Sequence, residues 1–107
     1  MICCGFKKNH HYLKDLDLVV TEASFVREGG MIRRDKKTGK PYGHMGVPNL
    51  IRFFEQFTNT ICFMHFGSWF YALGARKARQ KLQHLGKKYG MHVYVGYDGM
   101  VIDVKDL

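Results

Sequence analysis

At 107 residues, 46% hydrophobic and 14% aromatic, the chain is long and apolar enough for one globular domain with its own core, which excludes a disordered tail. Its formal net charge of +8 points to an anionic partner. Its longest apolar-rich run, Ile61 to Leu73, is broken by His65, Gly67 and Ser68 and falls short of the roughly 20 residues a membrane span needs.

The first fifteen residues give weak signals and read as a loosely ordered start to the domain. The opening MICCGFKKNHH lacks the apolar stretch of a secretory signal. There are three cysteines, an odd number, and Cys3 and Cys4 are adjacent, too close for an unstrained bridge. Together these features predict a soluble protein of a reducing, cytoplasmic compartment. Cys3, Cys4, His10 and His11, with Cys62 and His65, are the candidates for a zinc clip, but their spacing differs from the separated pairs of such clips. A two-metal nuclease site would have to draw on Asp15, Asp17 or Glu22 with distant partners, and no metal or cofactor is expected.

Leu16 to Val20 reads as a first strand, continued after a bulge by Ala23 to Val26. Met31 to Arg34 and Tyr42 to Met45 are short strands around the basic loop DKKTGKP, with a tip at Thr38-Gly39. Pro48 suits a helix start. The helix covers Asn49 to Phe57, with Leu50, Phe53, Phe54 and Phe57 on the core side. Thr60 to Phe66 is apolar on both faces, as a central buried strand should be, so His65 reads as a hydrogen-bonded core histidine.

One long helix is predicted from an N-cap at Ser68 to a C-cap at Gly90. Tyr71, Ala75, Ala78, Leu82, Leu85 and Tyr89 form its apolar stripe. Last, Met91 to Tyr97 and Met100 to Val104 flank Asp98-Gly99, a two-residue hairpin turn. That hairpin would set Val95 and Ile102 against the helix. The fold class is therefore α+β: one domain over residues 1–107, with a mostly antiparallel sheet, two helices packed on it and a C-terminal β-hairpin.

The positive charge is concentrated. Residues 31–47 hold five basic groups against one acidic, and residues 68–90 hold six against none. The expected binding residues are Arg33, Arg34, Lys36, Lys37 and Lys40 in the loop, and Arg76, Lys77, Gln80, Lys81, His84, Lys87 and Lys88 on the helix. They predict binding of duplex or structured DNA or RNA, with lysines on phosphate and Gln80 and His84 as polar readers. Trp69 and Tyr94 are candidates for base stacking. The alternative is an inhibitor or adaptor docking on an acidic protein surface, of the phage anti-defence or host-takeover kind. Catalysis is not expected, because no spacing ties His44, His65, His84, His92, Asp98 or Asp103 into an acid–base pair. The least favoured reading is a metal-independent nuclease using histidine with lysine or arginine.

Overall fold

The computed structural model describes residues 14–107. Cys3, Cys4, His10 and His11 lie outside them. In chain order the elements are β1 (Val19–Ala23), β2 (Met31–Arg34), β3 (Pro41–His44), α1 (Val47–Phe54), β4 (Thr60–Phe66), α2 (Ser68–Leu73), α3 (Ala75–Lys88) and β5 (His92–Val95), followed by a 3-10 turn at Val104–Asp106.

The sheet corrects the expected fold class. β1, β4 and β5 form a three-stranded parallel sheet in the order β1-β4-β5, and β2 and β3 form a separate antiparallel pair. The sheet is thus not mostly antiparallel, and the described residues form three helices, not two. The physical reason lies in the connections. Parallel neighbours need long crossovers, usually helical, and here α1 lies between β1 and β4 while α2 and α3 lie between β4 and β5. β4 is the central strand, as its two-sided apolar composition predicts. The first strand begins at Val19, later than expected, and includes the Ala23 that was assigned to its continuation.

Register and alternation put Val19, Thr21, Ala23, Ile61, Phe63, Val93 and Val95 on one face of the sheet. Val47, Leu50, Ile51 and Phe54 of α1 and Leu82 of α3 complete the core on that side. Thr21 faces this core, and its hydroxyl is buried with no hydrogen-bond partner among the described residues. Removing an unsatisfied buried hydroxyl relieves its desolvation cost, so Thr21→Val is expected to raise stability by about 1–2 kcal/mol. The urea midpoint measures this; a lowered midpoint would show that the hydroxyl has a partner.

The predicted long helix is two helices. Gly74, at φ +87°, ends α2 and begins α3. The break resets the helical phase, so Tyr71 and Ala75 are exposed while Ala78 and Leu82 are fully buried. Ser68 is the first helical residue rather than the cap; Gly67 is the N-cap, and no side chain bonds to the free N–H groups. The C-terminal end follows expectation. Gly90 N–H donates to the Lys87 carbonyl at 3.2 Å and Met91 N–H to the Gly86 carbonyl at 2.8 Å, the paired bonds of a Schellman motif. Gly86 faces β5 at close range, since a Cβ there would lie 2.2 Å from Cγ2 of Val93.

The C-terminal hairpin is absent. The Met100 N–H does bond the Tyr97 carbonyl at 3.0 Å, but of the two central residues only Gly99 takes a positive φ, +83°. A hairpin turn of the expected type needs positive φ at both, and this pattern is that of a type II turn. The chain therefore leaves β5 instead of returning along it. Met100 and Ile102 line a cavity of about 220 Å³ with Val20, Cys62 and Met64, on the face of the sheet opposite the helices, so Ile102 does not cover α3.

Away from the sheet, Arg52 of α1 bonds the Glu28 carboxylate and, at 3.2 Å, the Tyr89 hydroxyl. The Arg52 hydrogen bond holds the Glu28 carboxyl below its ordinary range. None of the described helices is long and apolar enough to cross a membrane.

Candidate functional site

At the carboxyl ends of β1 and β4, a Glu, a Ser and two His side chains meet. In open parallel sheets this is the end at which ligands bind. The pairing of β1 with β4 slips by one residue here: Glu22 is opposite Met64 and Ala23 is opposite Phe66. His65 is the extra residue of this bulge. It has φ +53°, a left-handed conformation that costs of order 1–3 kcal/mol for a residue other than glycine. Its side chain is 75% exposed, so His65 is not the core histidine that the strand pattern predicts.

The partners are specific. His44 Nδ1 lies 2.5 Å from Glu22 Oε2. Ser24 Oγ lies 3.1 Å from His65 Nδ1 and 3.2 Å from the same Oε2 of Glu22. The two imidazole centroids are 6.3 Å apart. Glu22 is the more enclosed of the two, its side chain 18% exposed against 40% for His44.

One proton order satisfies all these contacts with Glu22 ionised. His44 Nδ1–H donates to Glu22. Ser24 has a single proton and two acceptors, Glu22 Oε2 at 3.2 Å and the His65 carbonyl at 3.4 Å; given to the nearer, charged one, it leaves His65 Nδ1–H to donate to Ser24 Oγ. Each neutral ring then keeps its lone pair on Nε2. Neither Nε2 has a hydrogen-bond partner among the described residues.

Local structure holds this arrangement. β3 ends at His44, and the bridge between Phe25 and Gly46 ties the following residues to the chain beyond β1. The Phe25 ring lies 5.8 Å from that of His44. Gly67 permits the exit of β4 to pass Ser24, since a Cβ there would meet the Ser24 carbonyl oxygen at 2.1 Å. The Trp69 indole N–H donates to the Ala23 carbonyl at 2.8 Å, and its ring meets Phe66 and Phe70 edge-on. Trp69 is thus a packing residue of this corner.

The cations expected to bind nucleic acid fall into two groups. β2 and β3 pair with Met31 opposite His44 and Arg33 opposite Tyr42, so the basic hairpin grows directly from the His44 end of the site. Its Arg33, Arg34, Lys36, Lys37 and Lys40 are all exposed. The loop is internally bonded. Asp35 accepts the Lys37 and Thr38 N–H groups at 2.7 and 3.0 Å, which hold its carboxyl below the usual range, and Arg34 donates to the Gly39 carbonyl at 3.0 Å.

The second group lies on α3. Arg76, Lys77, Arg79, Lys81, Lys87 and Lys88 are exposed, and none pairs with a carboxylate among the described residues. Gln80, His84 and Lys87 line a cleft of about 420 Å³ with His92. Thr60 is opposite His92 in the sheet, so this cleft sits by the amino ends of the strands, away from His65. Tyr94 is half-buried on β5.

Two imidazole lone pairs, one ring anchored on a carboxylate and the other on a serine hydroxyl, also resemble what metal ligation requires. Among the described residues, no group of three or more His, Cys, Asp and Glu side chains could hold a metal ion. Cys62 lies on the sheet face opposite the helices, and burial pushes its thiol pKa up. The chain matches no family model, no curated protein and no solved structure.

Sequence reasoning missed this constellation. Glu22 and Ser24 are two residues apart, but His44 and His65 follow at long intervals with no motif spacing. The available signal was the pairing of the first strand with the central one, which brings E-x-S beside His65.

Proposed function

We propose that this protein binds nucleic acid on its cationic hairpin and helix, and cleaves phosphodiester bonds with the His44–His65 pair by general acid–base catalysis. This adds chemistry to the binding that the charge pattern suggests. The observation that carries it is the fixing of both Nδ1 atoms, one on Glu22 and one on Ser24, in two rings whose centroids are 6.3 Å apart and whose Nε2 atoms have no hydrogen-bond partner among the described residues.

In this reading His44 is the base. As it takes a proton from the attacking hydroxyl or water, it becomes an imidazolium, which Glu22 stabilises through the bond at Nδ1. His65, entering the cycle protonated, gives its Nε2 proton to the leaving oxygen. A base and an acid of this kind each contribute about 10²–10⁴-fold. The hairpin cations supply what the imidazoles lack, a hold on the phosphates either side of the scissile one.

A second reading, binding without cleavage, is favoured by one observation: the α3 cations and the Gln80–His84–Lys87 cleft lie away from the imidazole pair. Both readings are tested by incubating labelled single-stranded and duplex RNA and DNA with the protein at low salt, with and without a chelator. Cleavage that survives chelation is expected. Binding with no cleavage leaves the second reading alone; cleavage abolished by the chelator replaces the imidazole pair with metal-assisted hydrolysis.

Affinity should fall steeply with salt, since each neutralised phosphate contributes about −0.9 to the log–log slope on duplex DNA. Changing Lys77, Lys81 and Lys88 together to Glu should abolish binding and leave the thermal midpoint nearly unchanged. A stoichiometric, salt-stable protein partner with no affinity for nucleic acid would favour the inhibitor class.

A further inference from the structure

We infer that a cavity beside His65 is a subsite for one unpaired nucleobase bearing an exocyclic amino group, held between Tyr71 and Tyr97 and read by Asp98. This rests on the reading of the chain as a nucleic-acid-processing protein, and it narrows the substrate to a strand with at least one base out of pairing.

The cavity, about 430 Å³, is lined by His65, Phe66, Tyr71, Tyr97, Asp98 and Met100, among others. Its size is within the usual range for small-ligand pockets, about 300–1,000 Å³. His65 belongs both to this cavity and to the acid–base constellation, so a group bound here lies next to the reacting phosphate.

Two features give the ligand its class. The first is aromatic. Tyr71 and Tyr97 are 76% and 64% exposed, unusually open for large rings, and both line the same cavity. Neither was placed there for core packing: Tyr71 precedes the break at Gly74, and Tyr97 opens the type II turn. Tyr71 meets Phe70 only in an edge contact, at 5.7 Å and 74°, whereas Phe66 has one face occupied, stacked on Phe70 at 4.1 Å and 20°. Open aromatic faces beside a cationic strand-binding surface are the usual equipment for holding unpaired bases. A base within a duplex has both faces stacked already and offers neither to a tyrosine.

The second feature is Asp98. Its carboxylate repels a phosphate and so directs the backbone elsewhere, toward His44 and the basic hairpin. It only accepts hydrogen bonds, and the base-edge groups that donate are the amino groups of cytosine, adenine and guanine and the ring N–H groups. Cytosine N4 is a known match for an acidic side chain in base recognition. Uracil and thymine lack the amino group and offer only a ring N–H flanked by two carbonyl oxygens, which the carboxylate repels.

The test uses the full chain carrying His44→Asn, so that the oligonucleotide stays intact, and fluorescence anisotropy with labelled eight-residue strands of cytidine, of uridine and of abasic sugar-phosphate. Cytidine should bind at least about tenfold more tightly than the abasic strand, the order expected for one stacked base. Tyr71→Ala and Tyr97→Ala should each erase most of that advantage, Tyr97→Phe should keep it, and Asp98→Ala should equalise cytidine and uridine. Equal affinity for base-bearing and abasic strands would overturn the subsite, as would Tyr→Ala variants that bind like the parent. Because the readout is binding, a chain that cleaves nothing but shows the cytidine preference keeps the subsite and loses the cleavage reading. One that cleaves but ignores bases does the reverse.

Discussion

His44→Asn is expected to lower the rate of phosphodiester cleavage by about 10²–10⁴-fold, the range for losing a general base, while the affinity for the strand holds. Asparagine can still bond Glu22 but carries no lone pair at the Nε2 position. The fall should therefore appear in kcat and not in KM. Glu22→Gln tests the same bond from the other side. It keeps the shape of the side chain and removes the charge that steadies the imidazolium, and it allows the ring to turn to the other tautomer. A comparable loss is expected, with Ser24→Ala smaller because Glu22 keeps its direct bond to His44 without that hydroxyl. The check is single-turnover cleavage with saturating protein. Were His44→Asn as fast as the parent, the imidazole pair would have no part in the chemistry.

The largest effect on stability is expected at Leu82. It is 0% exposed, on the face of α3 that joins Val95 and the α1 side chains in one core. Truncation to Ala should cost about 2–5 kcal/mol, the range for a buried leucine whose site only partly collapses. Lys81→Ala, on the exposed side of the same turn, should change stability by less than about 0.5 kcal/mol and weaken nucleic-acid binding. Denaturation midpoints of the two variants, followed by a binding titration of each, separate the roles. A greater loss at Lys81 would mean that the helical phase of α3 is wrong.

What was legible in the sequence was local. The β2–β3 hairpin, the start of α1 at Val47-Pro48, the central place of β4 and the burial of Leu82 all follow from signals within a few residues. The parallel pairing was not legible. It joins Val19 to Ile61 and Ile61 to Val93, and no short-range pattern distinguishes a parallel partner from an antiparallel one. Asp98-Gly99 misled because the dipeptide suits two turn types, and the choice depends on the φ of Asp98. Gly74 lies inside the stretch that reads as one helix, yet its positive φ divides it and frees Tyr71 from the apolar stripe. The candidate site was hidden for a related reason. Its four side chains come from β1, the segment just after it, the end of β3 and a bulge in β4, and the bulge itself exists only once β1 and β4 have paired.

The central claim is that Glu22, directly and through Ser24, fixes the Nδ1–H of both imidazoles, so that each neutral ring carries its lone pair on Nε2 and His65 takes up its catalytic proton there. Nitrogen-15 NMR of histidine-labelled protein, at a pH where the rings are neutral, measures this directly. Both His44 and His65 should show the Nδ1–H tautomer, the less common one for a free imidazole, and in Glu22→Gln the His44 signal should lose that preference. If instead both rings carry the proton on Nε2 in the unmodified protein, neither Nδ1 donates as described and neither Nε2 holds a lone pair, and the account of the site is contradicted.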